Sequence, residues 1–194
     1  MLSFVAKLEK CLSIPKFFSE VVIRDLDEDD IPAITAIYRH AVLNSTGTFE
    51  TEPPGEAEMK IRWRVMAASN YPFIVAERKD ERRVMGFAYA NAYRARAAYA
   101  KTVEDWVYVR DGFQGLGIGE MLLSNLIYES ALRGFRQMIA VIGDAENISA
   151  IRMHEKLGFT KAGVLRQVGR KNDRWLDTVL MQFELPQETD ETEE

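Results

Sequence analysis

Gln114-Gly115-Leu116-Gly117-Ile118-Gly119 sets three glycines at alternate positions between an apolar run and a helical pattern. At such a junction the first helical turn leaves backbone N–H groups without intrahelical partners, and the helix dipole adds positive potential. Without Cβ atoms the backbone can approach an anion closely, so the stretch can cradle a pyrophosphate. The alternative is a merely tight strand-to-helix turn. A Walker loop is excluded, because Glu120 and not lysine follows Gly119. The dinucleotide fingerprint wants glycines at positions one, three and six; here they stand at one, three and five, and the acid it requires downstream is replaced by the apolar Met138 to Ile142.

Four other side chains could work beside such a loop. Glu104 lies in an alternating run, on one face with Thr102, Trp106 and Tyr108. Aromatic neighbours partly desolvate a carboxylate and raise its pKa toward the range of a useful general base; otherwise it is a solvent-facing strand glutamate. His154 follows Asn147 by seven residues, two helical turns on and on much the same face. It could donate or relay a proton, or simply pack. Arg94, ten residues before Glu104, could grip a carboxylate with two parallel hydrogen bonds, as could Arg96 close by; either could equally be an ordinary surface arginine.

The elements that must position these residues read as follows. A strand covers Val21 to Leu26. Asp29 or Asp30 caps a helix with Pro32 in its first turn and Ile34, Ile37, Tyr38 and Ala41 on its apolar face. Ser45 to Glu50 is loop, and a second helix runs from Glu56 to Ala68. Strands at Phe73–Glu77 and Val84–Tyr93 form a hairpin, and a third strand covers Thr102–Arg110. A helix over Gly117–Leu132 ends at Gly134, followed by an apolar strand at 137–142 and a helix at Asn147–Leu157 closed by Gly158. Strands at 159–168 and 175–185 flank a turn at Lys171-Asn172-Asp173. The order β-α-α-β-β-β-α-β-α-β-β predicts one mixed α/β domain over residues 21–186, not a simple βαβ array.

The formal charge of −5 resides in the tail, where five acids and no base follow Pro186; the rest of the chain is neutral. A neutral body lacks the basic excess of a nucleic-acid footprint. The tail 187–194 reads as disordered and solvated. Residues 1–20 read as an amphipathic extension, without the features of a secretory signal, and no run is long enough to span a membrane. One cysteine, Cys11, precludes an internal disulfide, and two histidines are too few for a metal centre. These features fit a cytoplasmic protein with no metal.

The glycine stretch resembles the Gln/Arg-x-x-Gly-x-Gly/Ala signature of the GNAT-type N-acetyltransferases, and Asn147 through Phe159 resembles that family's closing helix and turn. Ser45-Thr46-Gly47-Thr48-Phe49-Glu50, Thr102-Val103-Glu104, Val107-Tyr108-Val109, Met153-His154-Glu155 and Arg174-Trp175-Leu176-Asp177 look like the phosphinothricin/methionine sulfoximine acetyltransferase branch. The resemblance covers residues 21–185. It implies a largely antiparallel central sheet with helices on both faces, acetyl-CoA as co-substrate, a small amino-acid-like acceptor and a homodimer.

By resemblance, Val107, Tyr108 and Val109 hold the pantetheine arm, Gln114 through Glu120 hold the pyrophosphate, and Asn147 hydrogen-bonds near the thioester, although asparagine there also suits a helix cap. Glu104 becomes the base, His154 the acid toward the thiolate, and Arg94 or Arg96 the carboxylate anchor; Phe49 and Glu50 line the acceptor pocket. Asp105-Trp106 departs from the pattern, since relatives commonly carry smaller residues such as serine there, and Trp106 would crowd the acceptor. Two other readings stay open: acetylation of a peptide N-terminus, polyamine or aminoglycoside, against which the basic Arg94–Arg96 loop counts, and a non-catalytic acetyl-CoA-binding module.

Overall fold

The computed structural model describes residues 20–187; the N-terminal extension and the acidic tail expected from the sequence lie, but for one residue each, outside the described residues. Seven strands, β1 (Val21–Asp25), β2 (Phe73–Arg78), β3 (Arg83–Ala92), β4 (Thr102–Val109), β5 (Gln137–Gly143), β6 (Thr160–Lys171) and β7 (Arg174–Glu184), form one sheet in the order β1-β2-β3-β4-β5-β7-β6. Every pairing is antiparallel except β4 with β5. Four helices cover it: α1 (Ile31–Asn44), α2 (Glu56–Ala68), α3 (Ile118–Leu132) and α4 (Ile148–Lys156). Each element expected within the described residues is present, with ends moved by at most three residues.

Two apolar layers sandwich the sheet, because side chains alternate across each strand. On one face Ile118, Leu122, Leu123 and Leu126 of α3 pack on Val103, Met138, Ala140 and Met181. On the other, Ile34, Ile37, Tyr38 and Val42 of α1 and Met59 of α2 pack on Phe73, Val75, Phe87 and Tyr108. Strand β4 serves both layers.

Two local expectations change. Asp30 occupies the N-cap position of α1 but makes no side-chain capping bond. Its carboxylate instead takes Arg24 Nη1 and Nη2 at 2.6 and 2.8 Å, while Asp27 caps the short turn before the helix. The charged pair is the stronger claim on that carboxylate. Strand β6 also runs three residues further than expected, through a bulge between Leu165 and Gly169 where Gln167 has φ 50°. Its turn to β7 places Asn172 and Asp173 at φ 50° and 57°, the pair of left-handed residues that a two-residue hairpin turn requires. On β7, Val179 is buried and Trp175 is 62% exposed.

Candidate active site

The parallel pairing of β4 and β5 lasts four residues. It begins at Thr102 with Gln137 and stops at Asp105 with Ala140. Beyond that point β4 stays paired to β3 as far as Val109 and Gly86, while β5 follows β7 as far as Gly143 and Thr178. The two strands therefore part, and the β5-facing edge of Trp106 to Val109 is left outside the ladder. A backbone edge so exposed must find other partners, since unpaired N–H and C=O groups are costly away from water.

A cleft of about 660 Å³ opens at this notch, lined by Asp105 through Val109 on one side and Ala140 through Gly143 on the other. The C-terminal half of α1 closes one end through Ile37, His40, Ala41 and Asn44. The glycine loop and the start of α4 close the rest.

Gly117 is the N-cap of α3 at φ 83°, in the left-handed region that favours glycine. No side-chain bond caps the helix, and Gly117, Gly119 and Glu120 line the cleft, so the uncapped first turn lies where an anion could be held. A Cβ on Gly119 would come within 3.1 Å of Met153 Sδ; its absence lets α4 lie close to this turn. At the other end Asn147 caps α4, accepting from Ala150 N at 3.3 Å and from Ser149 Oγ at 3.1 Å. The expected cap is thus observed, and Asn147 also lines the cleft. A long, flexible ligand with an anionic middle fits this space, with phosphates at the helix start and an amide-bearing arm along β4.

Of the residues expected to hold a cofactor, Val107, Tyr108, Val109, Gln114, Gly115, Gly117, Gly119, Glu120 and Asn147 line the cleft. Leu116 and Ile118 lie outside the lining: the first is 41% exposed, and the second is a core residue, 2% exposed. The side chain of Gln114 folds back to accept from Gly112 N at 2.9 Å, bracing the loop.

Glu104 sits one residue before the parting point, half-buried on the α1/α2 face of β4. It shares that face with Trp106, whose ring stacks between Tyr89 and Tyr108, with centroids 6.1 and 6.5 Å away. Burial first, and the charge of Asp105 second, push the Glu104 carboxyl up to about 7. The raised pKa expected of Glu104 is observed, with burial its largest cause.

His154 is placed differently from an exposed acid. Only 4% of it is exposed. Its Nδ1 lies 2.8 Å from the Ala150 carbonyl and its Nε2 3.0 Å from Asp105 Oδ2. Burial pulls its pKa down, but Asp105 and the Ala150 carbonyl outweigh that, and the net direction is up.

Of the expected acceptor residues Trp106 lines the cleft, whereas Phe49, Glu50, Arg94 and Arg96 lie outside its lining. Arg94 and Arg96 are exposed, with the Arg94 guanidinium 5.1 Å above the Tyr93 ring. Glu50 is held by Arg62 through bonds of 2.8 and 3.3 Å. Phe49 lies over the backbone of Gly143 and Gly169: a Cβ at the first would sit 2.8 Å from the ring, and one at the second would overlap it. Lys171, 4% exposed, donates from Nζ to the Thr48 carbonyl at 2.7 Å, and Thr46 Oγ1 donates to Asp144 Oδ2 at 3.0 Å.

Sequence reasoning missed Asp105, Arg62, Asp144 and Lys171 as working residues. Asp105 carried a signal, since it is the one polar side chain in the alternating set Val103, Asp105, Val107, Val109 on the apolar face. Gly143 and Gly169, single glycines within strands, also carried one, because such glycines mark a close approach. Nothing local marks Arg62 or Lys171.

Among the described residues, no group of acids, histidines and cysteines is arranged to hold a metal, and no helix is long and apolar enough to cross a membrane.

Residues 34–159 match the model of the acetyltransferase (GNAT) family. A phosphinothricin N-acetyltransferase of Alcaligenes faecalis is 44% identical over 160 residues, 82% of this chain and 80% of that one. An L-methionine sulfoximine/L-methionine sulfone acetyltransferase of Pseudomonas paraeruginosa is 37% identical over 163 residues, 84% of this chain and 94% of its own. The crystal structure of a phosphinothricin acetyltransferase from Sinorhizobium meliloti in complex with acetyl-CoA superposes with a TM-score of 0.83 at 42% identity, covering 90% of this chain and 92% of that one.

Proposed function

This chain belongs to the GNAT acetyltransferase family and is an acetyl-CoA-dependent N-acetyltransferase, and from that premise we propose that its acceptor is the α-amino group of a small amino-acid analogue of the phosphinothricin or methionine sulfoximine type. One observation carries the reading of the chemistry: the strand bearing Glu104 parts from β5 one residue further on, so a carboxylate raised to about 7 stands beside the cleft that suits the acyl donor. The acceptor class rests on the likeness to the Alcaligenes and Pseudomonas enzymes.

Acetyl transfer requires an ammonium to lose a proton before its nitrogen can attack the thioester carbonyl. With a pKa of about 7, Glu104 is ionised in a large fraction of molecules at neutral pH, yet basic enough to take that proton directly or through one water. The free edge of Trp106 to Val109 orients the acyl donor along β4, and the α3 N-terminus balances its phosphates. Binding both substrates at one notch makes the attack effectively intramolecular, so no covalent enzyme intermediate is needed. Trp106, which lines the cleft on the same face as Glu104, bounds the space for the acceptor side chain.

The test is thiol release from acetyl-CoA with methionine sulfoximine, phosphinothricin, spermidine and a short peptide as acceptors. Release with the amino-acid analogues alone supports the proposal; release with only spermidine or peptide overturns the acceptor class while leaving the donor chemistry standing.

A further inference from the structure

His154 and Asp105 join two elements across the sheet at the place where it opens. His154 lies in the last turn of α4, Asp105 at the last paired position of β4, and both line the cleft. Their side chains are 5% and 3% exposed. A carbonyl only accepts, so Nδ1 carries a hydrogen toward Ala150, and one further proton lies between Nε2 and Asp105 Oδ2. Phe159 closes the ring edge-on, with centroids 4.9 Å apart. Asp105 is the one charged group bonded to the imidazole among the described residues, and its Oδ1, buried, has no protein partner there.

Delivering the shared proton to a leaving thiolate would leave a carboxylate facing an imidazole lone pair, both side chains almost fully buried. That arrangement is costly where the dielectric is low. The same two bonds do a different job well. They fix α4, and with it Asn147 at the far end of the helix, at a set distance from β4.

We propose that Asp105 and His154 are a positioning pair: they hold α4 to β4 at the parting of the strands and so set the width of the acyl-donor cleft, and His154 does not supply the proton to the departing thiol. The proposal rests on the acetyl-CoA reading above. Binding of acetyl-CoA to the unaltered protein, measured by calorimetry without acceptor, checks that reading separately.

Asp105→Asn separates the two roles. An asparagine amide can donate to Nε2, so the bridge survives while the shared proton is gone. The expected result is a loss of about threefold in kcat and a similar loss in acetyl-CoA affinity, well short of the hundredfold or more that removal of a catalytic acid brings. Asp105→Ala and His154→Ala break the bridge; each should weaken acetyl-CoA binding about tenfold, and the double variant should be no worse than the poorer single one, as for two residues acting as one unit. Restoration of most of that affinity by asparagine, but not alanine, would be the mark of positioning. A hundredfold fall in kcat for Asp105→Asn with acetyl-CoA affinity intact would overturn the proposal and make His154 the acid. So would acetyl-CoA affinities within twofold of the unaltered protein in both alanine variants, provided far-UV circular dichroism shows them folded.

Discussion

Two loops meet at this site and are held in opposite ways. The glycine loop at 112–119 is shaped by its own backbone: Gly112, Gly115 and Gly117 take positive φ, Gln114 braces Gly112, and the helix that follows supplies the N–H groups. The Ser45–Glu50 loop is shaped by residues far along the chain. Asp144 holds Thr46, Lys171 holds the Thr48 carbonyl, Gly143 and Gly169 make room for Phe49, and Arg62 holds Glu50. The glycine loop is therefore a local device and the Ser45–Glu50 loop a tertiary one; by resemblance the first would serve the donor and the second the acceptor. Substitutions in the first should change acetyl-CoA binding and little else; substitutions around the second should act on the acceptor.

The largest effect expected falls between the loops, at the base. Glu104→Gln should lower kcat by about 10² to 10⁴, the range of general-base contributions, with acetyl-CoA affinity retained by calorimetry. In the unaltered enzyme the rate should rise with pH through about 7, because Glu104 works when ionised. Removing the Asp105 charge lowers the Glu104 pKa, so in Asp105→Asn that acid limb should move to lower pH. The folded state holds the Glu104 proton more tightly than the unfolded chain, so this carboxyl favours the fold at acid pH and progressively less as pH rises through about 7. Glu104→Gln should accordingly raise the melting temperature more at pH 8 than at pH 5.

Next come the paired glycine tests that would break the contrast between the loops. Gly117→Ala places a Cβ on a left-handed residue at a cost of about 1–3 kcal/mol, and should weaken acetyl-CoA while leaving the acceptor KM near its starting value. Gly169→Ala drives a Cβ into the Phe49 ring; overpacking of that kind costs about 1–3 kcal/mol. It should raise the acceptor KM and spare acetyl-CoA. Equal effects of both variants on both substrates would mean that the loops form one unit.

Lys171→Met is milder. It leaves the Thr48 carbonyl without its donor, a loss of about 1–3 kcal/mol, and should loosen the Ser45–Glu50 loop by hydrogen exchange without altering exchange at 112–119. Arg94→Ala should matter least, within about twofold in acceptor KM, because an exposed arginine over a tyrosine ring gives up only a weak contact. A tenfold rise would instead show that the loop at 93–101 closes on the acceptor.

The element order, the sheet with helices on both faces, the glycine loop and the buried-face placement of Glu104 were all legible from residue types and spacing. Each depends on periodicity or turn chemistry within a few residues. Least legible were the polar residues whose partners come from elsewhere. Arg94 offered the right chemistry for a carboxylate but no information on where its strand end would lie. For His154 the sequence left a proton donor and a packing residue both open, and could not show that Asp105, 49 residues earlier, engages its Nε2. Arg62 carried no signal in the sequence and is the partner of Glu50, 12 residues away.

The sequence by itself determined the strands, the helices, the glycine turn and the face on which Glu104 stands, since side-chain alternation and backbone torsions are local properties. Only the tertiary structure decided that β4 and β5 part at Asp105, that a histidine and an aspartate close that junction, and that Phe49 lies over two distant glycines. Those outcomes depend on which strands pair and where pairing stops, and that is settled by the competition of whole faces for burial rather than by any short run of residues.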